Sequence, residues 1–308
     1  MAVATEPRAA TLPLAEGRAG STVRVHPILT GEILSPRSWV ERHRGRLAPA
    51  RTALDLLGRT GWGWVPAPPW IWLPVPAFLI EHPSVGVILV DTGLHQSCAT
   101  DVGANMGRLG GLIYRVRMDR EQALRFQIAE RGVSPRDVQV VVMTHLHIDH
   151  ASAVSDFPEA TFVVDEREWH AAASGGASKG YQRRQFDHAF DWRTLDYSAD
   201  AVESFAGFAR TFDLFGDGSV RVASTPGHTQ GHQSLVLRTA GGEVLLVGDA
   251  AYTERELRGE ALPLLVEDAH LHARSLKEIR SYLEQTPDAT VITGHDADLW
   301  ARLREVYE

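Results

Sequence analysis

The sequence predicts an α/β protein in which two stacked β-sheets lie between helices. Runs of strand type occur in both halves of the chain, with helical patterns between them and at the end of each half. The 308 residues are 44% hydrophobic and 23% charged, a balance typical of a globular protein with a sizeable core. No internal repeat with a period of 20–50 residues is present, which excludes solenoids and propellers.

The chain is predicted to divide into a tail and one folded domain. Residues 1–21 are rich in Ala, Glu, Arg, Gly and Thr without periodicity, which predicts a flexible tail or an arm on a neighbouring subunit. Residues 22–308 form the domain. Within it, residues 61–78 combine five prolines with Trp62, Trp64, Trp70 and Trp72. So many prolines exclude a helix or a central strand in that stretch.

Further elements follow from local patterns. Residues 22–28 alternate as a strand, and residues 78–82 and 85–90 are apolar runs joined by a turn, which predicts a hairpin. Asp119 and Gln122 resemble a capping box, which predicts a helix that runs through Arg131 and is stopped by Gly132. Residues 138–143 read as a buried strand. The remaining predicted strands are 161–164, 220–223, 234–238, 244–247 and 290–293, and the remaining predicted helices are 166–173, 270–284 and 297–306.

Charge and cysteine content limit the class of protein. Asp and Glu total 39 against 31 Lys and Arg, the formal net charge is -8, and no run of basic residues exceeds two. Nucleic acid is therefore disfavoured as a partner. The one cysteine, Cys98, excludes an intrachain disulfide framework. No secretory signal and no stretch of about 18 uncharged apolar residues is present, so we expect a cytoplasmic protein without membrane contact.

A cluster of metal-binding residue types follows the buried strand 138–143. It reads Thr144-His145-Leu146-His147-Ile148-Asp149-His150. In an extended chain the side chains at positions i and i+2 point the same way, so His145 and His147 converge on one point beyond the strand. Asp149 and His150 can face a second point nearby. Imidazole and carboxylate suit zinc, and three nitrogen ligands with an open position indicate a catalytic site. The alternative is a polar turn that holds three histidines by chance.

Three more polar residues follow predicted strands. His228 comes after strand 220–223, Asp249 after strand 244–247 and His295 after strand 290–293, each directly preceded by a glycine. Functional groups gather in loops beyond strand ends, and glycine permits close approach of the backbone. The total of five histidines and two aspartates is sufficient for two metal ions about 3.5 Å apart with a shared carboxylate and a shared hydroxide.

This ligand pattern resembles the metallo-β-lactamase superfamily from about residue 22 to the C-terminus. The resemblance implies an αββα sandwich, in which two mixed β-sheets are flanked by helices. It also implies two zinc ions per subunit, although Fe, Mn and Co accept the same ligands. By carry-over, one ion is held by His145, His147 and His228, the other by Asp149, His150 and His295, and Asp249 bridges them.

A finer resemblance links the chain to N-acyl-homoserine lactonases, the quorum-quenching enzymes. It is carried by Tyr252, three residues after Asp249, and by the sequence around His228. It implies a hydrolase that opens lactones, chiefly N-acyl-homoserine lactones, by attack of a metal-bridging hydroxide. Tyr252 would donate to the oxyanion, which is worth about 3 kcal/mol in the barrier, and Asp149 would protonate the leaving alkoxide. The alternative for Tyr252 is a packing role.

Other residues are predicted to act around this centre. Asp91, His232 and Asp296 are expected to orient ligands by hydrogen bonds without touching metal. The four tryptophans Trp62, Trp64, Trp70 and Trp72 are expected to line a groove for an acyl chain, or alternatively to pack a dimer interface.

The resemblance leaves other activities open. A thioesterase of the hydroxyacylglutathione hydrolase kind shares all seven ligands but needs a basic cluster near the C-terminus, where this chain has Arg302 and Arg304. A broad aryl-ester or organophosphate hydrolase is a further alternative. A non-catalytic binding module on the same scaffold is an alternative of another class. The expected partner is a small lactone or ester, and a homodimer stays open.

Overall fold

Two β-sheets form the centre of the molecule. The computed structural model describes residues 6–41, 70–188, 190–261, 263 and 266–308. The strands are β1 (Arg8–Ala9), β2 (Arg24–Pro36), β3 (Trp70–His82), β4 (Gly86–Val90), β5 (Val116–Arg117), β6 (Val138–Val142), β7 (Thr161–Asp165), β8 (Asp191–Leu195), β9 (Glu203–Phe205), β10 (Phe208–Asp213), β11 (Val220–Ser224), β12 (Gln233–Thr239), β13 (Gly242–Gly248) and β14 (Thr290–Thr293). One sheet has the order β1-β8-β7-β6-β4-β3-β2-β5 and the other β14-β13-β12-β11-β10-β9, and both mix parallel and antiparallel pairs.

Helices cover the outer face of each sheet. They are α1 (Arg37–Val40), α2 (Val102–Ile113), α3 (Leu124–Glu130), α4 (Glu166–Ser174), α5 (Arg183–Phe186), α6 (Glu254–Leu257), α7 (Ala269–Gln285) and α8 (Ala297–Trp300). None of them, within the described ranges, combines the length and the apolar character needed to cross a bilayer.

The cores follow from the alternation of side chains along the strands. Phe78 and Ile80 of β3 point between the sheets, where they join residues of β11 and β12 such as Val222 and Leu235. The intervening Leu79 points to the opposite face of its sheet and packs with residues of α3 and α4. Residues of α7 cover the outer face of the second sheet. These layers confirm the predicted αββα sandwich.

Strand β3 differs from the prediction, because Pro74 and Pro76 lie within it and β3 lies between β2 and β4. Strand β4 pairs with residues 78–82 of β3, so among the described strands the two prolines pair with β2 alone. The carbonyl oxygen of Pro74 lies 2.7 Å from Nδ1 of His295, outside the ladder with β2. The missing N–H groups therefore cost no ladder hydrogen bond.

The N-terminal residues also differ from the predicted flexible tail. Strand β1 pairs in parallel with β8, and Leu12 and Leu14 pack against the core between the sheets. The backbone N–H groups of Leu14 and Gly17 donate to the carbonyl groups of Leu214 and Phe215. The segment is held because its apolar side chains and its backbone groups both find partners. The predicted single domain from residue 22 thus carries an ordered segment before it.

Two helices also differ from expectation. No sequence pattern predicted a helix over residues 102–113, where α2 forms. This helix contains four glycines and is interrupted at Gly107, which has φ +79°. Helix α8 ends at Trp300, well before the predicted end at residue 306, because Tyr307 forms a β-bridge with Val25.

Candidate metal centre

The predicted ligands meet where strands of both sheets end. The parallel strands β4 and β6 lead into Asp91 and segment 144–150, and the parallel strands β13 and β14 lead into Asp249 and His295. Strand β11 leads into the loop that holds His228. Because these strand ends lie at the same edge of the sandwich, residues distant in the chain become neighbours.

Asp249 lies at the middle of the cluster, and its two carboxylate oxygens face four histidines, with Nε2 of His295 within 3.3 Å of both oxygens. Oδ2 lies 3.3 Å from Nε2 of His228 and 3.9 Å from Nε2 of His145. Oδ1 lies 3.2 Å from Nε2 of His295 and 3.4 Å from Nε2 of His150. A carboxylate placed between two imidazole pairs suits a bridging position between two cations.

The other two predicted ligands complete the two groups. Nδ1 of His147 lies 2.9 Å from Nε2 of His228. Oδ2 of Asp149 lies 3.6 Å from Nε2 of His295 and 3.8 Å from Nε2 of His150. Three overlapping sets have ligand atoms within 4.8 Å of one another, namely His145, His147 and His228; His145, His150 and Asp249; and Asp149, His150 and His295. The structure thus brings all seven residues together.

Asp91 organises the first ligand segment from outside. Its carboxylate accepts hydrogen bonds from the backbone N–H and the hydroxyl of Thr144, both at 2.7 Å, and lies 2.8 Å from Nδ1 of His150. The hydroxyl oxygen of Thr144 lies 3.0 Å from Nδ1 of His145. Each Nδ1 therefore has an acceptor, which assigns the proton to Nδ1 and the lone pair to Nε2.

Several buried polar atoms of this ligand cluster have no hydrogen-bond partner. Within the described ranges, Nε2 of His145 and of His150 and Oδ1 of Asp249 are among the buried polar atoms that have no hydrogen-bond partner. Such atoms are uncommon, since each costs about 1–3 kcal/mol. Divalent cations bind both imidazole nitrogen and carboxylate oxygen, so the donor set fits a metal.

Three of the histidines are neutral. Burial lowers the pKa of His145 and His228 well below the ordinary value, and it lowers the pKa of His147 to about 4. A neutral imidazole has a lone pair available, whereas an imidazolium ion has none. These three rings are therefore in the form that binds metal.

The other two histidines lie in a strongly negative environment. Burial opposes a charge on His150 and His295, but the carboxylates of Asp149 and Asp249 outweigh it and raise the pKa of both rings. Burial likewise opposes the charge of Asp249, yet His295 and His150 hold its pKa well below the ordinary value. Groups that attract protons this strongly attract a metal cation for the same electrostatic reason.

His232 supports Asp249 through the backbone. Its Nε2 accepts the hydrogen bond of the Asp249 N–H at 3.0 Å, and its Nδ1 lies 2.9 Å from Oγ1 of Thr225. Both ring nitrogens of His232 are thus engaged away from the ligand atoms. Asp296 behaves differently from its predicted role, because its carboxylate accepts hydrogen bonds from backbone N–H groups at the start of α8 and α6. The acceptor that orients His295 is the carbonyl of Pro74.

Tyr252 lies beside the cluster. Its hydroxyl oxygen lies 3.1 Å from Nδ1 of His228, and its ring stacks on that of His295 with centroids 5.5 Å apart. The backbone N–H of Tyr252 donates to the buried carboxylate of Glu256, which also lies 2.6 Å from Nε2 of His272. The ring is therefore fixed from several sides.

A cavity of about 780 Å³ opens above the cluster. His147, Asp149, His228, Asp249, Tyr252 and His295 contribute to its lining. One wall is apolar and is formed by Ile33, Trp39, Val40, Leu73, Leu109 and Ile113. A largely apolar cavity with a few convergent polar groups is typical of a small-molecule site.

The tryptophans predicted to bind substrate are placed as follows. Trp62 and Trp64 lie outside the described residues. Trp70 begins β3 opposite Pro36, and Trp72 lies 4.7 Å from the guanidinium carbon of Arg117. Leu73 lines the cavity, and alternation along β3 points Trp72 to the opposite face of the sheet.

Sequence reasoning missed Glu168, a buried carboxylate on α4. It accepts hydrogen bonds from the backbone N–H of Leu146 at 2.9 Å and of Gly231 at 3.2 Å. Its neighbour Glu166 has the same side chain and is exposed, so residue type carries no signal here. The one available signal was position within the first turn of a predicted helix that follows a buried strand.

Comparisons with known proteins agree with this geometry. A family model described as the metallo-beta-lactamase superfamily matches residues 70–295. The N-acyl homoserine lactonase AttM of Rhizobium radiobacter is 37% identical over 238 residues, which cover 76% of this chain and 86% of that protein. A probable metallo-hydrolase of Mycobacterium tuberculosis is 29% identical over 242 residues, which cover 74% of this chain and 76% of that protein.

A solved structure has a similar fold. It is a mutant of AiiA from B. thuringiensis with N-decanoyl-L-homoserine bound at the active site. Its TM-score is 0.71 at 24% identity, and the match covers 92% of this chain and 97% of that chain. The predicted family and fold are confirmed. The chain therefore belongs to the metallo-β-lactamase superfamily and is a metal-dependent hydrolase.

Proposed function

We propose that this protein binds two zinc ions and opens lactones, with N-acyl-homoserine lactones as the preferred class. The observation that carries the proposal is the convergence of four imidazoles on the two oxygens of Asp249, with a fifth, His147, beside His228, beneath a cavity that Tyr252 also lines. The named activity of the AttM relative supports the choice of substrate.

The ligand groups divide between the two ions. His145, His147 and His228 would hold one ion, Asp149, His150 and His295 would hold the other, and Asp249, which lies between the two groups, would be shared. When bound, such a pair supplies Lewis acidity toward the carbonyl oxygen and a water of lowered pKa for attack on the carbonyl carbon.

The chain itself stabilises the charge and supplies the proton. Nδ1 of His228 lies 3.1 Å from the hydroxyl oxygen of Tyr252. With the ring proton on this Nδ1, the phenol oxygen would accept it and the phenol would donate its own proton toward the substrate oxyanion. As the acyl–oxygen bond breaks, the departing ring oxygen needs a proton. Asp149 lines the cavity beside His295, and its carboxylate would accept the proton that the attacking water loses and pass it to the departing ring oxygen.

The apolar wall of the cavity would bind the acyl chain of the substrate. Each methylene buried against residues such as Leu73 and Ile113 contributes about 0.8 kcal/mol to binding. The polar centre then recognises the lactone ring, and the wall discriminates chain length.

The experiment is a measurement of proton release from a panel of substrates by zinc-loaded protein. The panel holds acyl-homoserine lactones of several lengths, other γ- and δ-lactones, an acyl-glutathione, an aryl ester and a cephalosporin. We expect the largest kcat/KM for an acyl-homoserine lactone. A larger value for the acyl-glutathione or the aryl ester would replace the lactonase proposal with the corresponding alternative, and inactivity on the whole panel would favour the binding module.

A further inference from the structure

Glu168 connects two loops that carry ligands. Leu146, which donates to its Oε1, stands between His145 and His147. Gly231, which donates to its Oε2, lies between His228 and His232. One carboxylate thus holds together the segments that supply His145, His147 and His228. The approach is close, because a Cβ on Gly231 would lie 2.2 Å from the backbone nitrogen of Glu168.

Tyr181 extends the same connection. Its hydroxyl donates to Oε1 of Glu168 at 3.2 Å, and its ring lies 5.0 Å from the ring of His147, centroid to centroid. A β-bridge also joins His147 and Tyr181. The orientation of His147 therefore depends on Glu168 through both the backbone and a neighbouring ring.

The second ligand group, which contains His150 and His295, is held by residues other than Glu168. Asp91 contacts His150, and the Pro74 carbonyl contacts His295. Glu168 has no hydrogen bond to these groups among the described contacts. A change at Glu168 therefore acts on one ligand group selectively.

We propose that Glu168 is a positioning residue that sets the spacing of His145 and His147 against His228 and so controls the affinity of one of the two metal sites. This inference rests on the proposed function, because it requires that the wild-type chain binds two ions. Each of the two carboxyl oxygens of Glu168 accepts a backbone N–H, one from each ligand loop, so both oxygens must act as acceptors at once. Replacing one oxygen by an amide NH₂ would set it against an N–H donor, and the two loops would move apart.

The test compares zinc affinities of wild type and Glu168→Gln by equilibration with competing chelators and metal analysis. Wild type is expected to bind two zinc ions. In Glu168→Gln, one ion is expected to bind 10–100-fold more weakly, the range seen when partners of metal ligands are removed, and the other is expected to keep its affinity.

A double-mutant cycle identifies the affected ion. In a His228→Ala background, Glu168→Gln is expected to leave the remaining ion unchanged. In a His295→Ala background, the same substitution is expected to weaken the remaining ion. Equal weakening in both backgrounds, or in neither, would overturn the proposal. A wild-type chain that binds no zinc would instead refute the proposed function.

Asp217→Asn is the matched control. Asp217 is also a buried carboxylate, but it contacts His82 and Ser219 near the β3–β4 turn, at the other end of β4 from Asp91. This substitution is expected to lower the melting temperature and leave both zinc affinities unchanged. If Glu168→Gln does not fold, Tyr181→Phe removes one donor to Glu168 and is expected to weaken the same ion by a smaller factor. Unchanged affinity in Tyr181→Phe would then count against the proposal.

Discussion

Nδ1 of His295 lies 2.7 Å from the carbonyl oxygen of Pro74, so a residue at the end of one sheet is oriented by a strand of the other. Each proline of β3 lacks an N–H group, but its carbonyl oxygen remains an acceptor. The carbonyl group of Pro74 points away from β2, so its oxygen is available to accept from His295. The bond assigns the ring proton to Nδ1 and directs Nε2 toward Asp249.

Replacing Tyr252 by Phe is expected to lower kcat on a lactone by about 100-fold, because one oxyanion donor is lost. Both zinc ions are expected to stay bound. Tyr282→Phe is the matched control, since Tyr282 is also buried but its hydroxyl contacts Glu243. Steady-state kinetics and metal analysis check both variants, and an unimpaired Tyr252→Phe would exclude the oxyanion role.

Asp249→Asn is expected to lose metal and activity together. The amide removes the negative charge that offsets the cations, and only its oxygen remains a ligand. Metal analysis and lactone hydrolysis are measured on the same sample. Wild type stripped by a chelator is expected to fall to the rate of the variant, and added zinc is expected to restore wild type alone. A variant that keeps both ions would show that Asp249 does not bridge them.

Asp91→Asn is expected to weaken zinc binding by 10–100-fold through Thr144 and His150. The physical reason is that one of its two oxygens, each of which accepts from the ligand segment, becomes a donor. Asp268→Asn is the control, because among the described contacts the Asp268 side chain accepts only from the first backbone N–H groups of α7. Its backbone N–H donates to Gly227 beside His228, and this bond is unchanged by the substitution. The control is expected to change only the melting temperature. Zinc affinity equal in the two variants would contradict this account.

Leu109→Glu is expected to discriminate between acyl chains. Leu109 lines the apolar wall while half exposed, so a carboxylate there is tolerated by folding but opposes a long acyl chain. We expect KM for a decanoyl lactone to rise about tenfold and KM for a butanoyl lactone to stay unchanged. Leu112→Glu, on the same helix but in the lining of a separate surface pocket, is the control. An equal change for both substrates would remove Leu109 from the acyl site.

Cys98 is expected to make stability depend on alkaline pH. Burial raises the pKa of its thiol to about 11 from the ordinary value of 9.0. The unfolded chain therefore loses the proton first, so the free energy of unfolding falls as pH rises from about 9 toward 11, by an amount on the order of 2 kcal/mol. Denaturant unfolding of wild type and Cys98→Ala between pH 8 and 11 checks this, and identical pH profiles would contradict it.

The sequence predicted the site better than its surroundings. The predicted ligands have residue types that bind metals and stand directly after predicted strands. His145 and His295 could therefore be proposed as ligands without a structure. Strand β14 was predicted at its exact bounds, because a short β-branched run ends at a glycine. Pro74 could not be identified, because its role is carried by a backbone carbonyl that every residue has.

Long-range packing explains what was missed. Glycines argue against helix α2, yet tertiary contacts of Met106 and Val102 stabilise it. Glu168 is one acidic residue among many until folding places Leu146 and Gly231 against it.

The N-terminal residues have a consequence for handling the protein. Strand β1 is hydrogen-bonded to one sheet, and Leu14 and Gly17 are hydrogen-bonded to the loop after β10 in the other. This short N-terminal segment therefore links the two sheets. A protease that clips the first twenty residues would leave every residue of the metal-binding cluster in place but release this N-terminal segment. The trimmed protein would unfold and aggregate at a lower temperature than the intact protein. Its specific activity directly after cleavage would not reveal this loss of stability.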